Sequence, residues 1–351
     1  MKGINPFTPG IQKPDELIGR KIEAGLFDSY LSSTIAGQPV FMQIIGPKGI
    51  GKTSLLRYFQ IVGEKNRALV VLFKAQKKEN VKRLLEELEN ALAERVATGE
   101  MQKKHPDAVQ EMLKKNKGHS DAGLQLESAH KILRKNVSAM VFIIDDINQL
   151  KNSELKEITG MFSKIAEKKL PFMLVLATAG HRNVEKELFR PVYVSPLKEK
   201  DMREFLEKTL GVHGMKMGDE CLRGIEEDSQ GHPLVLLTIC WTIYDKIKEN
   251  EKVISKGHYV SYLPTIMGNL ARELFDDLYN ENSESEKNIL KTIAKLGGEA
   301  TVSKIADSMG KPLNTITTLA LRLAESGNIK KTERGRYQIF NRLYGKYVLG
   351  K

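Results

Sequence analysis

Gly46-Pro47-Lys48-Gly49-Ile50-Gly51-Lys52-Thr53 spells GxxxxGK[ST] between two apolar runs. Val40-Phe41-Met42-Gln43-Ile44-Ile45 before it predicts a buried strand, and Ser54-Leu55-Leu56-Arg57-Tyr58-Phe59 after it predicts the first turns of a helix. In a strand–loop–helix of this kind, glycines let backbone N–H groups curl around phosphate oxygens. The helix then aims its positive N-terminus at the same anions. The octapeptide and Ser54 are therefore candidate contacts to ATP or ADP. Lys52 would reach the β- and γ-phosphates, and the Thr53 hydroxyl would take a place on Mg²⁺. A chance glycine turn of this pattern should arise in roughly one chain in a hundred of this length, and the matching flanks make chance rarer.

Five apolar runs can be strands of one sheet: Phe41–Ile45, Leu69–Phe73, Met140–Ile144, Phe172–Ala177 and Val192–Val194. Helical stretches separate them, which argues an α/β fold with a parallel five-stranded sheet covered on both faces. Residues 77–136 form an insertion. Leu84, Leu85, Leu88, Leu92 and Val96 predict an amphipathic helix in its first half, and Thr98–Ser120 carries no assigned chemistry.

The third strand runs Val141-Phe142-Ile143-Ile144 into Asp145-Asp146. Acids closing a strand that neighbours the loop strand complete a phosphate-transfer site. Asp145 would hold Mg²⁺ through its water shell, and Asp146 would orient or deprotonate the attacking water. Acids also close many ordinary strands, so the pair gains meaning only from the octapeptide about ninety residues earlier. Thr178 ends the fourth strand, where a polar group can bond the γ-phosphate or the lytic water; the plainer reading is a strand-terminal Thr before the turn Ala179-Gly180. Arg190, just before the fifth strand, stands where an arginine could reach a nucleotide in a neighbouring subunit, though an exposed arginine is more often merely solvated.

At 351 residues the chain predicts two or three domains. Hydrophobic residues are 41% and charged residues 28%, an ordinary globular balance. No apolar run approaches the roughly 20 residues of a membrane span, and MKGINPFTPG lacks an apolar signal core. Cys221 and Cys240 read as buried thiols rather than a disulfide or metal pair. The expectation is a cytoplasmic protein with no membrane partner. After Pro196-Leu197 the pattern is helical to about residue 278, through Lys198–Leu210, Asp219–Asp228, Pro233–Asn250 and Met267–Tyr279, with no strand between. The predicted division is a sheet domain over 1–196, a helical lid over 197–280 and a third domain over 281–351.

The net charge of +11 is uneven, since residues 281–351 hold 13 Lys/Arg against 7 Asp/Glu. Such a localised excess favours a nucleic-acid partner or a solvated face. Helices are predicted at Ser285–Lys295 and Val302–Met309, with a third after Pro312 lined by Leu313, Ile316, Ala320 and Leu323. Ile329–Thr332 and Arg336–Ile339 then flank Glu333-Arg334-Gly335 as a hairpin. This is the layout of a winged helix-turn-helix. Lys311, Asn314, Thr315 and Thr318 would face the major groove of duplex DNA, and Lys330, Lys331, Arg334 and Arg336 would meet phosphates.

With these residues the chain resembles the AAA+-type P-loop ATPases of bacteria and archaea related to replication-origin initiators, a group that shades into the signal-transduction (STAND) ATPases. The resemblance begins at Asn5-Pro6-Phe7-Thr8-Pro9-Gly10 and runs through the phosphate loop, Asp145-Asp146 and Val194-Ser195-Pro196-Leu197 to the 283–349 tail. It implies that Leu17-Ile18-Gly19-Arg20 lies against the adenine, making Ile18 and Arg20 nucleotide contacts. It further implies that Gly231-His232-Pro233, similar to the GxP element of signalling ATPases, brings a lid onto the nucleotide through Pro233; the plainer alternative is a helix start. Two departures stand out. Most AAA+ ATPases have Asp-Glu where this chain has Asp145-Asp146, which implies slow turnover, and oligomerising machines usually carry an arginine sensor near the Gly231 position. The implied function is a Mg²⁺-dependent ATPase whose nucleotide state controls DNA engagement or self-assembly. The alternatives are a signalling switch that uses the winged helix on a protein partner, and a regulator of transposition.

Overall fold

The computed structural model describes residues 4–9, 17–77, 81–84, 86, 87, 90, 91, 137–180, 184, 187–248 and 250–351. Of the expected insertion helix, Leu84 is buried in the sheet core, while Leu85, Leu88, Leu92, Val96 and the segment 98–120 lie outside the described residues. The chain forms two compact units, one of residues 20–45 and 52–193, the other of 1–19, 46–51 and 194–351.

The first unit contains α1 (Lys21–Ile35), β1 (Val40–Ile45), α2 (Lys52–Lys65), β2 (Leu69–Lys74), β3 (Met140–Asp145), a 3₁₀ turn (Ile147–Gln149), α3 (Asn152–Glu167), β4 (Phe172–Thr178) and β5 (Phe189–Tyr193). Its sheet is wholly parallel, in the order β2-β3-β4-β1-β5. β3 and β4 are buried at every residue, which is why both read as unbroken apolar runs rather than alternating ones. Leu155, Ile158, Phe162 and Ile165 recur at helical spacing on α3 and join the sheet core; the Phe142 and Phe162 rings lie edge to face with centroids 5.0 Å apart. Phe27 of α1 stacks on Phe59 of α2 at 4.1 Å.

β3 does not adjoin β1, because β4 lies between them; apolar runs reveal strands but not their lateral order. β5 begins at Phe189 rather than Val192, so Arg190 lies inside the strand and not before it. Arg190 and Pro191 are both exposed, as an edge strand allows, and Pro costs nothing where no ladder bond is donated.

The second unit contains α4 (Glu199–Val212), β6 (Lys216–Met217), α5 (Asp219–Ser229), α6 (Pro233–Lys246), β7 (Val253–Ile254), α7 (Lys256–Leu270), a π-helical turn (Ala271–Phe275) and α8 (Asp276–Asn280). It continues through α9 (Glu284–Lys295), β8 (Glu299–Thr301), α10 (Val302–Met309), α11 (Leu313–Glu325), β9 (Ile329–Glu333), β10 (Arg336–Ile339) and α12 (Arg342–Leu349). Residues 4–9, expected with the sheet domain, group here. Phe7 is fully buried, edge-on to Phe205 at 6.0 Å, and the Asn5 amide donates to the Trp241 carbonyl at 3.0 Å.

The stretch after Pro196 is not free of strands, since β6 and β7 pair in parallel. α7 starts at Lys256 rather than Met267. The Ser255 side chain caps it, and Pro264 sits inside it. In the tail, α9 to α11 and the hairpin stand where expected. β8 adds a third strand in the antiparallel order β8-β10-β9, and α12 is an unforeseen closing helix. Leu313 is 52% exposed and does not belong to the buried stripe, which begins one turn later at Ile316.

Both cysteines are free and buried. Burial pushes the Cys221 thiol up to about 11 and raises Cys240 further, so neither is a reactive thiolate at neutral pH. Among the described residues, no helix is long and apolar enough to cross a membrane.

Candidate nucleotide site

β1 delivers the chain to Gly46, and α2 begins at Lys52, so the loop occupies the six residues between. Gly49 (φ +78°) and Gly51 (φ +98°) take backbone conformations that other residues rarely adopt. At Gly49 space is also short: a Cβ there would lie 2.7 Å from Cε1 of His232. The loop's carbonyls are held within the second unit. The Nε2 of His232 lies 2.9 Å from the Lys48 oxygen, and the Leu234 N–H donates to the Gly49 oxygen at 3.3 Å. Lys48 Nζ pairs with Asp277 at 2.8 Å, but both side chains are substantially exposed, so the pair contributes little by itself. Gly327, after α11, lies against Pro47.

In the first unit the Thr53 hydroxyl donates to Asp145 Oδ2 at 2.7 Å. Thr53 is the second residue of α2, and Asp145, buried, is the last residue of β3. A hydroxyl oxygen paired with one carboxylate suits Mg²⁺, which prefers a few oxygen ligands and keeps its remaining positions for water and phosphate. Among the described residues no cluster of three or more His, Cys, Asp or Glu could hold a metal by protein ligands alone.

Asp146 lies in the left-handed region (φ 58°, ψ 49°) at the head of the 3₁₀ turn, an uncommon conformation that Asp tolerates better than most residues. Its Oδ2 is 3.5 Å from the Gln149 amide. Thr178 closes β4 in register with Ile45, the residue before the loop. It is fully buried, and its hydroxyl lies 2.8 Å from the Gly180 carbonyl and 3.0 Å from Asn148 Oδ1. Asn148 Oδ1 also accepts from the Ala179 N–H at 2.8 Å. Asn148 is exposed and fixed at the ends of β3 and β4, a polar group the sequence reading passed over because its partners lie about thirty residues away.

Ser54 is buried in the first turn of α2. Ile18 is half-buried against the core of the second unit. Arg20, 5% exposed, pairs with Glu23 at 3.3 Å. Pro233 opens α6, its missing N–H harmless at that position, while the His232 side chain caps the helix by accepting from the Val235 N–H at 3.4 Å.

Lys311, Asn314, Thr315, Thr318, Lys330, Lys331, Arg334 and Arg336 are all exposed. The Thr318 hydroxyl donates to the Asn314 carbonyl at 3.0 Å, and Arg336 lies 3.5 Å from the Glu333 carboxylate.

Residues 16–175 match a family model described as an AAA ATPase domain, and residues 272–348 match a domain of unknown function (DUF8462). The second match begins in the π-helical turn rather than at residue 281. An uncharacterized HTH-type transcriptional regulator of Methanocaldococcus jannaschii is 22% identical, the alignment covering 94% of this chain and 88% of the relative. A Walker-type ATPase of Pyrococcus abyssi superposes with a TM-score of 0.67 at 18% identity, over 99% of this chain and 100% of that one. The ORC1 protein of Aeropyrum pernix, solved in complex with DNA, gives a TM-score of 0.50 at 16% identity, over 96% and 93%. At these identities the solved structures share a fold. The AAA ATPase match takes in the phosphate loop, α2 and the Asp145-Asp146 end of β3, and residues 16–175 accordingly form a P-loop ATPase domain of the AAA type.

Proposed function

We propose that this ATPase is a nucleotide-controlled switch that engages duplex DNA through residues 281–351 acting as a winged helix. The observation that carries the reading is the uniform exposure of Lys330, Lys331, Arg334 and Arg336 on the β9–β10 hairpin, beside a helix α11 whose Asn314, Thr315 and Thr318 are also open. A basic hairpin following a three-helix unit suits phosphate contacts, which fix position, while the helix reads bases. The helical residues 197–280 would act as the lid over the nucleotide.

On the ATPase side, Lys52 would bind the β- and γ-phosphates, with Thr53 and Asp145 holding Mg²⁺. Once bound, the ion would neutralise charge on the phosphate oxygens. Asp146 would take or orient the proton of the attacking water, its short side chain favouring slow turnover. Thr178 would report the γ-phosphate from the end of β4, with Asn148 fixed beside it.

The test is a titration of duplex DNA against the full chain with ATP, ADP or no nucleotide, repeated over a range of salt. Each neutralised phosphate releases condensed counterions, so log K should fall against log salt with a slope of about −0.9 per contact. Replacing Lys331 and Arg334 together with Ala should weaken binding to all sequences alike and make that slope shallower by roughly two units. Asn314→Ala should instead alter sequence preference with the slope unchanged. Absence of binding at low salt in every nucleotide state would favour a protein partner for this surface.

Arg190 is proposed to act across subunits, from an edge strand that a second copy could approach. If it does, wild-type specific activity should rise with protein concentration, and Arg190→Ala should lose that rise. A monomer in sedimentation with specific activity flat over a hundredfold concentration range would reject the role.

A further inference from the structure

We infer that His232 is a positioning residue for the ATPase reaction: its ring orients the Lys48–Gly49 peptide so that the phosphate loop presents N–H groups to the nucleotide. His232 is 4% exposed, and both ring nitrogens make directed contacts. Nδ1 accepts from the Val235 N–H at 3.4 Å, so the proton of the neutral ring is on Nε2, which donates to the Lys48 carbonyl at 2.9 Å. Leu234 N–H holds the next carbonyl, that of Gly49, at 3.3 Å. All described peptide bonds are trans, so drawing the Lys48 oxygen toward His232 turns the Gly49 N–H the opposite way. Consecutive peptides fixed in this manner around a left-handed residue make an anion-binding concavity, and Gly49 is that residue.

The contact is built rather than incidental. No side chain fits at Gly49, since a Cβ would meet the ring at 2.7 Å. The ring also lies against Phe340, 5.5 Å away between centroids, in the segment joining β10 to α12. A loop carbonyl, the start of α6 and the C-terminal segment therefore meet on one imidazole. This gives the histidine of Gly231-His232-Pro233 a role that neither a plain helix start nor a contact through Pro233 supplies.

Two substitutions separate the two nitrogens. His232→Asn places a polar atom where Nδ1 stands and cannot reach the loop. His232→Gln carries an amide N–H out to the place of Nε2 and gives up the cap. Removing the donor frees the part-buried Lys48 carbonyl to turn away, so His232→Asn should weaken both MgATP and MgADP binding on the order of tenfold. Because the loss falls equally on ground and transition states, KM should rise with little change in kcat. His232→Gln should bind nucleotide close to wild type while melting earlier without nucleotide, since it lacks the α6 cap. Titration calorimetry on the full chain, below the melting temperature of each variant, reads this directly. The reverse pattern, Asn normal and Gln weak, would overturn the inference, as would two variants that both bind like wild type. The inference rests on the loop being the nucleotide site; if Lys52→Ala retained full affinity, that reading would fail first and separately.

Discussion

Lys52→Ala is expected to abolish nucleotide binding, or to weaken it by on the order of a thousandfold, whereas Asp146→Asn should bind MgATP like wild type and lose hydrolysis. The asymmetry follows from where the two residues stand. Lys52 is the first residue of α2 and, on the proposed reading, would carry the loop's charge to the phosphates, where a charge-assisted contact counts heavily. Asp146 lies beyond the end of β3, and the carboxylate bonded to Thr53 is that of Asp145. Replacing Asp146 by its neutral isostere leaves the Thr53–Asp145 pair intact and removes only the group that would handle the attacking water's proton. Fluorescent-nucleotide titration together with single-turnover hydrolysis separates the two effects. Equal loss of ATP binding in both variants would contradict this division of labour.

What could be read from the sequence was local. The phosphate loop is contiguous, and its glycines are required by positive φ at Gly49 and Gly51, so eight letters carry the geometry. β3 and β4 announced themselves because strands buried on both faces must be apolar throughout. Lateral strand order was not legible, since a parallel sheet is ordered by its crossovers, and β4 inserts between β1 and β3 without any mark in the apolar runs. Two- and three-residue strands such as β6, β7 and β8 are too short to show a period. The start of α7 is masked in the sequence because Gly257 and Pro264 look like breakers, yet the cap at Ser255 and the burial of Tyr259, Ile266 and Leu270 outweigh local propensity. The residues proposed to face DNA are legible as exposed, but the exposure of Leu313 is not. A helical stripe does not say where the core beneath it ends. His232 shows the same limit from the other side, because its partner carbonyl lies 184 residues away in the chain.

Asn341 belongs to that long-range class, and Asn341→Ala is expected to cost about 3 kcal/mol, the joint loss of a helix cap and of two buried carbonyl partners. Its side chain is fully buried and uses both ends. Nδ2 donates to the carbonyls of Asp228 and Ser229, at 2.8 and 3.2 Å, in the last turn of α5, where the Ser229 oxygen also accepts from the His232 N–H at 2.9 Å. Oδ1 accepts from the N–H groups of Leu343 and Tyr344, at 2.9 and 3.3 Å, capping α12. Around it, Asp228 accepts from the Tyr259 hydroxyl at 2.5 Å, with Arg342 Nε 3.6 Å from its other oxygen, so the surroundings are already polar and cannot close over a cavity as an apolar core would. In a unit of this size the loss should lower the melting midpoint by roughly 6–12 °C. Asn341→Ser, which keeps the cap but shortens the donor, should fall between Ala and wild type. Asn341→Leu, which restores bulk without polarity, should be no better than Ala. Thermal unfolding followed by circular dichroism, without nucleotide, ranks the three. If Leu were as stable as wild type, packing rather than hydrogen bonding would be what joins α5 to α12. The chain leaving α5 runs directly into Gly231-His232-Pro233, and so loosening Asn341 should also weaken nucleotide binding while leaving every loop residue unchanged.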